Sequence, residues 1–153
     1  LNIARARLSM PNAIAKFKSW IGTRERANGL FEWSGGGHTV YWTEMVGIAG
    51  FVNELLLQSV KNKIRLFPCW PEEKDAKFTR LRAQGGFIVS AEFTNGQVAS
   101  ATIESVANKQ LNLLSPWKTI YVNGKPIEID SNGFVTLHAK AGHTFRFSET
   151  ASE

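Results

Sequence analysis

The sequence predicts an α+β chain, a short N-terminal helical segment followed by an antiparallel β-sandwich. Two observations carry this. Apolar residues recur at three- and four-residue steps before residue 61, whereas after it they alternate, and Asn-Gly pairs punctuate the chain. No helical pattern interrupts the strand candidates, which favours a sandwich over a parallel sheet with crossover helices. The natural division is a helical segment over 1–60 and a β-sandwich domain over 61–153.

In the first part, residues 3–10 and 12–21 read as two short helices separated by Pro11, which disfavours helical geometry at Met10. Ile14, Phe17, Trp20 and Ile21 form one apolar face of the second, and Gly22 suits its end. Residues 22–42 are irregular, with Gly35-Gly36-Gly37 between Trp33 and Trp42. Thr43 is the expected N-cap of a third helix, Glu44 suits its positive end, and apolar residues continue through Leu57. Their spread around the circumference calls for burial on most sides.

From Ile64 onward there are about nine strand candidates. Phe87, Val89, Ala91 and Phe93 point to one face, and Ile88, Ser90, Glu92 and Thr94 to the other. Asn95-Gly96 signals a hairpin whose return strand is expected to turn Ala99, Ala101 and Ile103 inward. Asn123-Gly124 and Asn132-Gly133 mark further turns, and Phe145 and Phe147 line the inner side of the last strand.

Composition narrows the function classes. A 43% hydrophobic fraction with 10 Phe and 5 Trp supports a packed core. No apolar run reaches the roughly 20 residues of a membrane-spanning helix, and no secretory signal pattern opens the chain. Leu1 stands where an initiator Met would, inside a helical pattern, so the expectation is a piece of a longer polypeptide. Residues 1–60 hold six Lys/Arg against four Asp/Glu, and residues 61–153 twelve against nine, which leaves +2 and +3. Bases and acids are interspersed along the chain, which argues against a nucleic-acid partner. Cys69 is the only cysteine, so neither an internal disulfide nor a cysteine metal cluster can form, and its place in Leu66-Phe67-Pro68-Cys69-Trp70 marks a small buried hydrophobe.

Candidate chemistry gathers ahead of the third helix. Glu44 at a helix N-terminus would be held ionised, which suits a base or a hydroxyl acceptor, or simply complements the helix end. Trp33, Tyr41 and Trp42 around the glycine-rich loop could stack on a sugar ring, or anchor the loop. His38 could donate to a sugar hydroxyl; it has no second ligand at zinc spacing. The triple glycine lacks the strand, the Lys-Ser/Thr and the helix start of a phosphate loop. His138 and His143 carry no partner motif, and no metal or other cofactor is indicated.

At residues 53–71 the text becomes recognisable. Asn53-Glu54-Leu55-Leu56-Leu57-Gln58-Ser59, Ile64-Arg65-Leu66-Phe67-Pro68 and Trp70-Pro71 resemble the end of the helical barrel in glycoside hydrolase family 95, a family of α-L-fucosidases and related exo-acting α-glycosidases. Leu81 to Phe87, Ala101-Thr102-Ile103-Glu104-Ser105, Ser115-Pro116-Trp117 and Ala141-Gly142 resemble its C-terminal sandwich, so the likeness spans roughly 41–147. The resemblance implies an upstream (α/α)6 barrel of the same polypeptide, with residues 1–60 as its remnant here, a glycan substrate, and a periplasmic or extracellular location. It also implies inverting hydrolysis, by an acid and asparagines that lie upstream and an aspartate late in the barrel. Counting back without gaps from Leu55 to Ser59 puts Thr43 at that aspartate, Glu44 beside it, and Met45-Val46 where the family has Asn-Phe. That departure marks a divergent branch, with an altered substrate, a shifted carboxylate or no hydrolysis at all, and leaves Thr43 as a further substrate-binding candidate. A second class of function, a non-catalytic carbohydrate-binding or interaction sandwich, would show a planar aromatic strip on its strands; the tryptophans bunch instead in the helical part and its junction.

Overall fold

The computed structural model describes residues 2–8, 10, 12–25 and 42–151, with the side chains of residues 2, 4 and 42–45 outside the description. Trp33, His38 and Tyr41 fall outside the described residues. The chain divides into two compact units, Leu1–Leu55 and Leu56–Glu153.

The first unit holds α1 (Asn2–Arg7), α2 (Ala13–Gly22) and most of α3 (Trp42–Leu56). Its interior is built from Ala6, Ala13, Phe17, Phe51 and Leu55. The rings of Phe17 and Phe51 lie 4.0 Å apart between centroids, and a Cβ on Gly50 would sit 3.3 Å from Ile3 Cδ1, so small residues set the spacing here. The Thr23 hydroxyl closes α2 by donating to the Ser19 and Trp20 carbonyls. Expected as the N-cap, Thr43 is instead the second residue of α3: nothing in Trp42 bars helical geometry, and the first turn extends back over it. Val46 and Val52 stay exposed on this helix, which therefore buries one stripe rather than its whole circumference among the described residues.

The helical stretch ends earlier than its apolar pattern suggests. Leu57–Val60 is a strand, β1, paired antiparallel with β2 (Lys63–Leu66) across the turn Lys61-Asn62, both residues at positive φ. Pairing over that tight turn overrides the local helical pattern.

The second unit is a sandwich. One sheet orders β1, β2, β6 (Lys109–Leu114) and β9 (Phe134–Ala139). The other orders β3 (Ala76–Ala83), β4 (Phe87–Thr94), β5 (Gln97–Ser105), β10 (Thr144–Ser148), β7 (Ile120–Val122) and β8 (Lys125–Ile127). Every pairing is antiparallel except β2 with β6. The nine strands from Lys63 onward answer the nine strand candidates. Between the sheets lie Ile64, Leu66, Val89, Ala91, Ile103, Leu111, Leu113, Val135 and Phe147, with Phe67 wedged against Phe78 and Phe93 at 5.3 and 5.2 Å. Phe67 adopts φ 49 to turn the chain out of β2, and this leaves Cys69 half-buried on the following turn rather than in the core.

One inward residue is misplaced by strict alternation. Ala99 is exposed and Val98 is buried, because the register slips from Glu92↔Ser100 to Phe93↔Val98 and leaves Ala99 as the extra residue of a bulge. Val98→Ala should therefore cost about 1.5–2 kcal/mol in urea unfolding, while Ala99→Asp should stay within about 0.5 kcal/mol of wild type. The opposite order of effects would place Ala99 inside.

Candidate functional site

Of the residues that sequence assigns to sugar chemistry, Trp42, Thr43 and Glu44 fall at the start of α3, and their side chains lie outside the description. The same helix is tied down at its far end by Glu54, whose Oε1 accepts from Arg7 Nη2 at 2.6 Å and Nε at 2.9 Å. The hydrogen bond to Glu54, and then the attraction of its charge, raise the Arg7 pKa above its ordinary value. Glu54 is thus committed to holding α1 and α3 together.

The outer face of the six-stranded sheet carries the other close-set polar groups. Lys77, Ser90, Glu92, Ser100 and Thr102 line a shallow depression of about 190 Å³. Lys77 Nζ meets Glu92 Oε2 at 3.2 Å, and Arg80 Nη1 meets both oxygens of Glu104 at 2.9 and 3.0 Å. A bulge in β3 between Phe78 and Leu81 sets this up. Arg80 takes φ 59 there, and its backbone N–H donates to Ser90 Oγ at 3.0 Å.

Ile88 stands opposite Glu104, and Glu92 follows four residues along β4. The backbone positions of the two glutamates are therefore about 13 Å apart along the strand, whereas retaining and inverting hydrolysis set their carboxyl groups roughly 5–9.5 Å apart. Each is also held by its own cation. Among the described residues, no cluster of His, Cys, Asp and Glu is placed to hold a metal ion. No helix among them is long and apolar enough to cross a membrane. Sequence alternation singles out Ser90 and Glu92 as one face of β4, but only the register across β3 and β5 shows Lys77, Arg80, Ser100, Thr102 and Glu104 beside them.

Comparison with known proteins agrees with the resemblance. Residues 58–147 match the family described as "Glycoside hydrolase family 95, C-terminal domain". No curated protein sequence matches the chain. Among solved structures, the chain is similar to the crystal structure of Ara127N-Se, a GH127 beta-L-arabinofuranosidase from Geobacillus stearothermophilus T6, at 12% identity and a TM-score of 0.38. That alignment covers 69% of this chain and 18% of the arabinofuranosidase, so the chain spans under a fifth of it. The family match takes in β1 through most of β10, both sheets of the sandwich, and the chain belongs to glycoside hydrolase family 95 through this C-terminal domain.

Proposed function

We propose that the chain is the C-terminal part of an exo-acting, fucosidase-like α-glycosidase that trims glycan side chains, and that on its own it does not turn over substrate. The observation that carries this is the family match over residues 58–147, the sandwich domain. The wide separation and ion pairing of Glu92 and Glu104 support a non-catalytic sandwich. In this reading the barrel of the same polypeptide supplies the leaving-group acid. Glu44, in the first turn of α3, supplies the one carboxylate this chain contributes, as the base that activates water. Its place at the positive helix end favours the ionised form that a base needs. Trp33, His38, Tyr41, Trp42 and Thr43 contact the sugar beside it. The setting is periplasmic or extracellular.

Incubating the isolated chain with aryl α-fucosides and aryl α-galactosides should release no aryl group above background, because two carboxyl functions on opposite faces of the sugar are needed. A longer polypeptide that includes the barrel should release it. Turnover by the isolated chain that survives repurification and disappears in Glu44→Gln would overturn the proposal.

A further inference from the structure

Three Asn-Gly pairs turn the chain of the sandwich: Asn95-Gly96 between β4 and β5, Asn123-Gly124 between β7 and β8, and Asn132-Gly133 ahead of β9. A fourth, Asn28-Gly29, lies outside the described residues. The glycines of the three take φ 78, 77 and 82, which is what the turns need of them. The same dipeptide is chemically reactive. With no side chain on glycine in the way, its backbone nitrogen can reach the Asn side-chain carbonyl carbon and close a five-membered ring. Ring closure requires the pair to rotate out of its turn, so the bonds holding each pair decide which one reacts.

Two of the pairs are locked. Asn123 Oδ1 accepts from the Arg146 N–H at 2.9 Å, its Nδ2 donates to the Thr144 carbonyl at 3.4 Å, and its own N–H donates to the Arg146 carbonyl at 2.9 Å, so the reacting amide itself is tied to β10. At Asn132-Gly133 the attacking nitrogen is engaged. The Gly133 N–H donates to the Asp130 carbonyl at 2.9 Å, the Gly133 carbonyl accepts from the Ser115 N–H at 2.8 Å, and the Asn132 N–H donates to Asp130 Oδ1 at 2.8 Å. Asn95-Gly96 differs. Asn95 is exposed, and among the described residues neither its side-chain amide nor the Gly96 N–H makes a hydrogen bond. The Asn95 N–H donates to Asp75 Oδ1, at 3.2 Å. Beyond the β4–β5 bulge the hairpin is closed by two pairs, Phe93 with Val98 and Thr94 with Gln97, which leaves a short tip free to open.

We propose that Asn95 is a site of spontaneous modification in the folded chain. The Gly96 backbone nitrogen gives up its proton and attacks Asn95 Cγ, the side-chain nitrogen leaves as ammonia, and a succinimide forms. Water then opens the ring at either carbonyl, giving aspartate or isoaspartate at position 95. Both products place a new carboxylate beside Asp75, and isoaspartate also adds a carbon to the main chain of a turn whose two-residue length sets the β4–β5 register. This chemistry does not depend on the family to which the sandwich belongs.

Ageing the 153-residue chain in mildly alkaline buffer, followed by digestion and tandem mass spectrometry, tests it. The mass increase of replacing an amide NH2 with OH should build up at Asn95 about fivefold or more faster than at Asn123 or Asn132, the scale of one retained hydrogen bond. In urea, with the turns open, the three sites should react at similar rates, because each Asn is followed by Gly. Asn95→Gly keeps a residue suited to positive φ and should remove the fast reaction while the circular dichroism spectrum stays the same. Asp130→Ala removes the acceptor of the Asn132 and Phe134 N–H groups and should speed reaction at Asn132 about fivefold, with Asn95 unaffected. Reaction at Asn123 or Asn132 as fast as at Asn95 in the folded chain would overturn the proposal. So would a preference for Asn95 that persists undiminished in urea, since the selectivity would then come from the neighbouring sequence and not from the fold.

Discussion

Trp117→Ala should destabilise the sandwich by about 3–5 kcal/mol, the usual cost of emptying a large aromatic site. Trp117 is 6% exposed inside the cluster between the sheets, and its indole N–H donates to the Val98 carbonyl at 2.7 Å. Ser115 Oγ accepts from the Trp117 N–H at 3.2 Å and donates to its carbonyl at 2.8 Å, which fixes the loop that delivers the ring. Removal leaves both a cavity and a buried carbonyl without its donor. Small domains are stable by only about 5–15 kcal/mol, so the melting transition should fall by some 15 °C or more. Trp117→Phe keeps most of the volume and loses the N–H, and should cost about 1–3 kcal/mol. Urea unfolding followed by near-ultraviolet circular dichroism measures both. A loss below about 1 kcal/mol for the Ala variant would mean that the ring does not fill the core.

The second large effect is on turnover. In the longer polypeptide, Glu44→Gln should reduce kcat against an aryl α-glycoside by roughly a hundredfold or more, the scale of a lost general base, with the melting temperature nearly unchanged. The amide keeps the size of the side chain and removes its charge. If Glu44 serves only the helix end, the outcome reverses: activity is kept and stability falls by about 0.3–1 kcal/mol. Thr43→Asp restores a carboxylate at the position where the family has one and should recover part of the activity lost in Glu44→Gln. Full activity in Glu44→Gln would exclude Glu44 from the mechanism.

The basis for these two predictions is visible in sequence to different degrees. Alternation over Phe87–Phe93 and the Asn95-Gly96 turn specify a hairpin and its inner face, because a period of two and a positive-φ turn are local properties that hold wherever the strands pair. The Leu81–Phe87 and Ser115–Trp117 segments help to identify the family, which the match over residues 58–147 shows. Glu44 is legible as a candidate for the same local reason: it stands just ahead of a long apolar helical run.

What alternation misses follows from pairing. It turns Ala99 inward, and the structure does not, because a bulge depends on the partner strand's register. Ala99 alone carries no sign of Phe93 meeting Val98. Leu57 continues the helical pattern of α3, yet it lies in β1, because β2 is available to it across a two-residue turn. The residue opposite Leu57 in that pairing is Leu66, and both are buried.

The sequence by itself determined the α+β class, the turn positions, the apolar faces and the family, because each is written in neighbours a few residues apart. Tertiary structure decided which charges meet. Lys77 and Glu92 are 15 residues apart and Arg80 and Glu104 are 24 apart, yet each forms a pair. Strand order places such groups side by side, and strand order is fixed by burying the inner apolar faces of both sheets together. The outer polar residues follow passively, so their grouping becomes readable only once the core is assembled.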